Sequence, residues 1–468
     1  MFIARLRSLD PGNQQADDAL AIWSAGTARV LPQSVIPGSI AVTGDGLVVA
    51  GRLFPLAEYS QVYVFGAGKA GAAMAVEVEK TLRNSRYWDG LGGRVNVPDD
   101  LKGLPRTDKI ALQVARPAGY NFPTKAGEAA TRRMLEELSS LDHDTIALGL
   151  ISGGGSALLV SPRDDGVSLE HLLAVTQFLQ TAGATIHELN SVRSWLCQVK
   201  AGGLARMCKA GRIETLIISD VVGDDLSVIA SGPCRASDIS AQQAYEILKH
   251  FIDDARFEIA REVVESLEHI GNLARTGAVH SPLGNHVRNN LIATNALALD
   301  ASRLKAEELG YCVVMRGSTN QGDAYEGGRH FANHCQELRK RGGRTCVISG
   351  GEPTLVLNPQ RSAGSRGGRN QAWALAALDE LWQIRELDLE GMAILAGGTD
   401  GEDGPCDVAG AIVTPEVLNQ ARDRNLNPAP FLENNNEYAF FTQVGGHLDT
   451  GGGTDTNVYD VRVACINS

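Results

Sequence analysis

At 468 residues the chain exceeds what one ordinary hydrophobic core organises, and two domains are expected. A net charge of −12 and only 5 % aromatic residues exclude a basic nucleic-acid surface or a base-stacking platform, and they disfavour an anionic membrane as partner. The opening MFIARLRSLDPGNQ has no apolar signal core, no apolar run reaches the ~18 residues of a membrane span, and the eight cysteines form no CxxC pair, so a cytoplasmic protein with reduced thiols is expected.

The first buried strand is QVYVF (61–65), followed by GAGKAG and the helical AAMAVEVEKTLRN. Gly66, Gly68 and Gly71 fit G-x-G-x-x-G, a weak signal when alone. A dinucleotide fingerprint wants an acid about 20 residues on, at the end of a second strand. Asp99 and Asp100, in NVPDDLKG, read as loop residues somewhat too far along. Lys69 within the turn suits a transferring phosphoryl group, whose charge one ammonium can neutralise. GxxxxGK[ST] is absent, so this is not the common P-loop.

The strand TIALGLI (145–151) runs into Gly153, Gly154, Gly155 and Ser156, which read as a phosphate cradle at a helix start. A nucleophilic Ser156 is disfavoured, because G-x-S-x-G needs glycine where Leu158 stands. The helix LEHLLAVTQFLQTAG comes next, and TLIIS (215–219) then ends on Asp220, followed by Asp224 and Asp225. Three acids beside glycine suggest a Mg²⁺ or hydroxyl partner, with a helix cap as the plain alternative.

After the helix SAQQAYEILKHF, the polar stretch GNLARTGAVHSPLGNH (271–286) marks the boundary between domains 1–283 and 284–468. Beyond it, strands HVRNNLIA, CVVMR, TCVISG, MAILAGG and VRVACI alternate with helices ALALDASRLKAEELG, GGRHFANHCQELRKRG and RNQAWALAALDELWQ. This alternation means an α/β protein with mainly parallel sheets and ligands beyond the carboxyl ends of strands. His330 and His334 lie four apart on a helix that reads as solvated, so they are taken as surface rather than a zinc site. SRGGRNQ places Arg366 and Arg369 at a helix start, where a guanidinium could grip a carboxylate or phosphate. AGGTDGEDGPCDVAGA then sets Asp400, Glu402, Asp403 and Asp407 among glycines, and Thr454, Thr456 and Asn457 lie in a last glycine-rich loop. Two glycine anion cradles, a loop lysine, paired acids and an arginine turn together fit Mg²⁺-assisted phosphoryl transfer.

FGAGKAGAAMA, LISGGGSALL, LNSVRSWLCQVKAGGLA, ISDVVGDDLSVIASGPC, VISGGEPTL, GGRNQ and GGTDGEDGPCDVAGA resemble, in order and spacing, the class II glycerate kinase family from about residue 60 onward. The resemblance implies an N-terminal Rossmann-like domain, a C-terminal α/β domain peculiar to the family, and an active site in the cleft between them. It implies ATP-dependent phosphorylation of D-glycerate, most often at the 2-hydroxyl, with Mg²⁺, so ATP and a small hydroxy acid are the expected partners. Lys69, Asp220 and Arg369 fall at the family's candidate catalytic positions. Asn190, Arg193, Asp400 and Asp403 are expected on the substrate, and Asp220 with Asp224 on the metal. Gly66, Gly68 and Gly153 to Ser156 are expected on nucleotide or phosphate.

The chain departs from the family pattern in three places. A GHPVPDE-like stretch becomes ARPAGYNFPTKAG, with Tyr120, Thr124 and Lys125 in place of a histidine and two acids. KGGRLA becomes KAGGLA, leaving Gly203 for an arginine, and TGPTGTNVND becomes GGGTDTNVYD, with Gly453 and Asp455 substituted. These changes leave room for a longer sugar acid as acceptor or for a non-catalytic metabolite sensor. GAGKAG alone motivates an NAD(P)H-dependent hydroxypyruvate reductase as the other alternative.

Overall fold

The computed structural model describes residues 3–9, 12–99, 103–117, 119–163, 165–256, 258–382 and 389–467. Asp100, one of the two acids weighed for a dinucleotide site, lies outside them. Two compact units emerge, one of residues 35–292 and the other of residues 1–34 with 293–468. Both mix helices with a central sheet, as the α/β reading expects.

The unit of residues 35–292 is built on a six-stranded sheet in the order Val287–Ala293, Arg212–Ile218, Thr145–Ile151, Gln61–Ala67, Leu91–Pro98, Ile110–Arg116. Pairings from Arg212–Ile218 across to Ile110–Arg116 are parallel. Every residue of Thr145–Ile151 is buried, as an unbroken apolar run at the centre of a covered parallel sheet requires. Chain order reverses beside Gln61–Ala67, because the next strand in sequence lies on one flank and Thr145–Ile151 on the other. Those two neighbours therefore flank the topological switch point, where open α/β sheets bind ligands beyond their carboxyl ends. Leu91–Pro98 and Ile110–Arg116 are strands that hydrophobic periodicity did not expose, since Gly92, Gly93 and Arg94 interrupt the first and Gln113 the second.

The other unit has a seven-stranded sheet in the order Arg5–Arg7, His447–Asp449, Gly410–Val413, Met392–Gly398, Asp460–Asn467, Arg344–Gly351, Cys312–Met315. The expectation of mainly parallel sheets fails here. Asp460–Asn467 runs antiparallel to both neighbours, and only Cys312–Met315 with Arg344–Gly351 is parallel among the pairings described. Helix–strand alternation carries no direction for a strand returning from a long loop, so the sequence pattern could not tell these arrangements apart.

The first 34 residues belong to this second unit, whereas the sequence boundary assigned them to the first. Helix Gln14–Arg29 explains it: Ile22 and Trp23 are fully buried, and Trp23 Nε1 donates to the Gly397 carbonyl at 3.1 Å. A Cβ on Gly26 would lie 2.8 Å from the Ala298 carbonyl oxygen, so glycine permits close contact with helix Asn295–Glu308. The other boundary, placed at 283/284, falls just short of Val287–Ala293, which closes the parallel sheet. Helix Ala324–Arg341, expected as solvated, buries Gly328, Phe331, Ala332 and Cys335. Its Gly327 meets the Trp373 ring of helix Arg369–Trp382, where a Cβ would come within 2.0 Å. His330 stays exposed and His334 half-buried, and no group of three metal-ligating side chains occurs among the described residues. All eight cysteines are free thiols and all but Cys312 are buried. Among the described residues no helix is long and apolar enough to cross a membrane.

Candidate active site

The two glycine turns that flank the switch point interlock. Ser152 N–H donates to the Ala67 carbonyl at 3.1 Å, Lys69 N–H to the Gly153 carbonyl at 2.8 Å, and Ala70 N–H to Ser152 Oγ at 3.0 Å. Gly68, at φ +148°, leaves no room for a side chain, since a Cβ would sit 2.0 Å from Ser152 Oγ. Gly66 answers to strand packing, its Cβ position lying 2.0 Å from the Leu150 carbonyl oxygen. The N–H groups of the first turn are all occupied, because Gly68 donates to Asn96 and Gly71 to Gly68 as well. That turn is a support for its neighbour, not a bare anion cradle.

The second turn differs. Each of its three glycines is required locally: a Cβ on Gly153 would lie 2.1 Å from Asp220 Oδ2, and one on Gly155 2.8 Å from Ala230 Cβ. Gly154 adopts φ +77° as N-cap of the four-residue helix Gly155–Leu158. The N–H groups of Gly153 and Gly154 find no acceptor among the described residues. Asp220, just past strand Arg212–Ile218, thus rests its carboxylate against the turn.

Cations surround it. Lys69 is exposed, and its ammonium makes no ion pair among the described residues. Arg116, at the end of its strand, has Nη2 3.1 Å from the Gly154 Cβ position. Its Nη1 donates to the Tyr120 carbonyl and to Asn121 Oδ1, neutral acceptors, and burial lowers its pKa. Behind the turn, Lys200 Nζ donates to the Ser156 carbonyl at 3.1 Å and to Ser231 Oγ at 3.3 Å. Arg193 reaches the same carbonyl at 3.4 Å and Asn190 Oδ1 at 3.5 Å. Ser156 Oγ lies 2.8 Å from Ser231 Oγ, which donates to Asn190 Oδ1 at 3.1 Å. Both cations are buried without a carboxylate partner among the described residues, and burial followed by the Arg193 charge pushes the Lys200 ammonium down to about 7.

The structure therefore brings together Lys69, Gly153, Gly154, Gly155, Ser156, Asn190, Arg193 and Asp220. Asp224 stands apart in the following loop at φ +57°, with its N–H on the Val221 carbonyl. Arg116 and Lys200 were missed as site residues. Lys200 lay inside the quoted KAGGLA, and a lone lysine before a glycine pair could have been flagged. Arg116 carried no signal, because its strand was not recognised. Of the altered positions, Thr124 caps helix Lys125–Ser139 and accepts from Gly127 N–H, while Tyr120 is exposed. Gly203 is a packing requirement, with its Cβ position 1.7 Å from the Gln198 carbonyl oxygen.

The second unit treats its charged glycine loops differently. Arg369 forks onto Asp460 at 2.9 and 3.1 Å and onto Glu352 at 2.6 Å, and these carboxylates raise its pKa against the cost of burial. Asp460 also accepts from Asn370 Nδ2 and from the fully buried Arg462, which lies 4.2 Å over the Trp373 ring. Asp403, 2 % exposed, accepts from the N–H groups of Asn370 and Gln371 and from both their side-chain amides. That accounts for Asp403 as the cap of helix Arg369–Trp382 without a substrate. Asp400 is half-buried and accepts from Glu402 N–H through Oδ1 and from Thr454 N–H through its carbonyl. Asp455, where the family pattern has glycine, holds φ +60°, a conformation Asp tolerates better than most residues.

Two family descriptions match, a domain of unknown function (DUF4147) over residues 18–268 and the MOFRL family over residues 345–460. The chain is 33 % identical to a glycerate kinase of Danio rerio, across 96 % of this chain and 97 % of that one. It belongs to the glycerate kinase family. It is accordingly an enzyme, a kinase. A glycerate 2-kinase of Pyrococcus horikoshii is 34 % identical, covering 93 % of this chain and 94 % of the relative. The crystal structure of a glycerate kinase from Thermotoga maritima superposes with a TM-score of 0.79 at 28 % identity, covering 96 % and 99 % of the two chains.

Proposed function

We propose that the protein phosphorylates D-glycerate with ATP, most readily to 2-phosphoglycerate, at the Gly153–Ser156 turn. The observation that carries this reading is the charge around that turn: Lys69, Arg116, Arg193 and Lys200 gather about it, Asp220 rests against it, and among the described residues the N–H groups of Gly153 and Gly154 lack acceptors. Buried positive charge without a counter-ion is costly, and a phosphate or carboxylate at the turn offsets that cost. In this reading Lys69, unencumbered and exposed, neutralises the transferring phosphoryl group. Asp220 accepts the proton of the attacking hydroxyl, and the buried cations hold the turn's dipoles toward the anion.

The residues fit a nucleotide–metal pair. Mg²⁺ takes one or two carboxylates and completes its shell with phosphate oxygens and water, so Asp220, at the turn, would by itself supply the protein's share. A bound metal would supply charge neutralisation between the phosphates. Arg369 enters as a strut: with its donors on Asp460 and Glu352, it grips substrate only by releasing Glu352.

The reductase alternative has one observation in its favour, since Asp99 directly follows strand Leu91–Pro98 and not an arbitrary loop position. Against it, the first turn has no donors left for a pyrophosphate. ADP release from ATP and Mg²⁺ is measured over D-glycerate, L-glycerate, hydroxypyruvate and four-carbon sugar acids, with product NMR for the hydroxyl used. D-glycerate turnover is expected. Turnover with a four-carbon acid alone corrects the acceptor, and NADH oxidation by hydroxypyruvate without ADP release overturns the kinase assignment.

A further inference from the structure

Behind the Gly153–Ser156 turn, three side chains form a hydrogen-bonded chain whose hydroxyl groups phosphoryl transfer leaves without a role. Ser156 Oγ lies 2.8 Å from Ser231 Oγ, and Ser231 Oγ lies 3.3 Å from Lys200 Nζ. We propose that Ser156 is a nucleophile toward carboxylic esters, its proton passing through Ser231 to Lys200, so that the turn also hydrolyses esters.

Exposure and backbone place the three for this task. Ser156 is half-buried, whereas Ser231 and Lys200 are 3 % and 2 % exposed, so Ser156 is the member that meets a substrate. Ala230 and Ser231, at φ +50° and +62°, are consecutive non-glycine residues in the left-handed region, a costly backbone that sets Ser231 between its partners. Two backbone bonds lock that segment to the one carrying Lys200. Ala201 N–H donates to the Ser231 carbonyl at 3.0 Å and Gly202 N–H to the Gly232 carbonyl at 2.7 Å. Burial and then Arg193 lower the Lys200 pKa to about 7, against a smaller opposing effect of Cys197, so an amine with a free lone pair is present at neutral pH. Ser231 gives its one proton to Asn190 Oδ1, at 3.1 Å, beside an ammonium, and to Nζ beside the amine. A serine–serine–lysine relay needs no G-x-S-x-G elbow, so Leu158 is no obstacle.

Ser156 Oγ bonds to the ester carbonyl carbon while its proton moves to Ser231 and the Ser231 proton to Lys200. The Gly153 and Gly154 N–H groups, without acceptors among the described residues, receive the carbonyl oxygen as it takes up charge. The bond to the alcohol oxygen then breaks and the proton returns along the relay to that oxygen, leaving acyl-Ser156 and free alcohol. Water repeats the sequence, which releases the carboxylic acid and restores Ser156.

Hydrolysis of p-nitrophenyl acetate by the full chain, with acid-quenched samples digested for peptide mass spectrometry, tests this. An acetyl group on Ser156 is expected, and Ser156→Ala should lower p-nitrophenol release by about 10²-fold or more. Ser231→Ala and Lys200→Met should each lower kcat by about 10²-fold with KM held within about two-fold, a split that mere loosening of the turn does not produce. If Lys200→Met fails to fold by circular dichroism, Ser231→Ala decides. No acetyl-Ser156 in the wild-type chain overturns the proposal, and so does an unchanged kcat in Ser156→Ala or Ser231→Ala. These measurements need neither ATP nor glycerate, so phosphoryl transfer at the turn stands or falls separately.

Discussion

The turn at Gly153–Ser156 and the loops around Arg369 use the same residue types, glycine with lysine, arginine and aspartate, and dispose of charge in opposite ways. Around Gly153 the cations outnumber the carboxylates, and their hydrogen bonds end on neutral carbonyls and amides. Around Arg369 each charged group is matched: Asp460 serves two arginines, Glu352 serves one, and Asp403 is covered by four donors. A glycine-rich charged loop is therefore not evidence of a site. The evidence is charge left without a partner in a place water reaches poorly, because only a ligand can then supply the missing counter-charge.

The largest effect is expected from breaking the neutralised network. Asp460→Asn leaves the fully buried Arg462 and Arg369 short of a counter-ion and should lower unfolding free energy by about 3–5 kcal/mol in urea melts. A loss under ~1 kcal/mol would show that the network is not held by charge. Lys69→Ala should do the reverse, leaving stability unchanged because the side chain is exposed while kcat falls by roughly 10²–10³. An unchanged kcat with only KM raised would remove Lys69 from the transferring phosphoryl group.

Lys200 sharpens the contrast through pH. Its folded pKa of about 7 lies below the ordinary 10.5, so the unfolded chain binds more protons between those values and its contribution to stability rises with pH across that window. Lys200→Met should lack this rise, by ~1 kcal/mol or more, when denaturant midpoints are compared from pH 7 to 10. Parallel curves for the two proteins would contradict a Lys200 whose ammonium form is disfavoured by burial in the folded chain. The smallest effect is expected at Glu437, buried in the second unit, with Tyr325 OH donating to Oε1 at 2.8 Å and a pKa raised by burial to about 7. There the folded state binds the extra proton, so stability falls as pH rises from the ordinary 4.5 through 7. Glu437→Gln should flatten that decline by ~1 kcal/mol, and an unaltered slope would place the proton elsewhere.

Much of the architecture was legible because strongly patterned segments announce themselves. TIALGLI, TLIIS and MAILAGG are apolar runs leading into glycine or aspartate, and they fall in the strands Thr145–Ile151, Arg212–Ile218 and Met392–Gly398, the second of which starts three residues before its run. Leu91–Pro98 and Ile110–Arg116 were hidden because polar residues and glycines break their periodicity, and Arg116 was hidden with them. The N-terminal helix was misassigned to the nearer domain because its partners, Ala298 and Gly397, lie hundreds of residues away.

By itself the sequence determined the kind of chemistry. Glycines at strand ends, Lys69 in a turn and Asp220 after a strand place anion-handling groups at carboxyl ends of strands, because local pattern fixes where strands stop. The tertiary structure alone decided which of those groups are engaged. The Gly68 turn spends its donors on Ser152, Gly153 and Asn96, Asp403 serves as a helix cap and Arg369 engages two acids, while Arg116, Arg193 and Lys200 converge on one turn with their hydrogen bonds, among the described residues, ending on neutral acceptors. Hydrogen-bond and charge satisfaction depends on neighbours brought together by folding, and no local pattern encodes who those neighbours are.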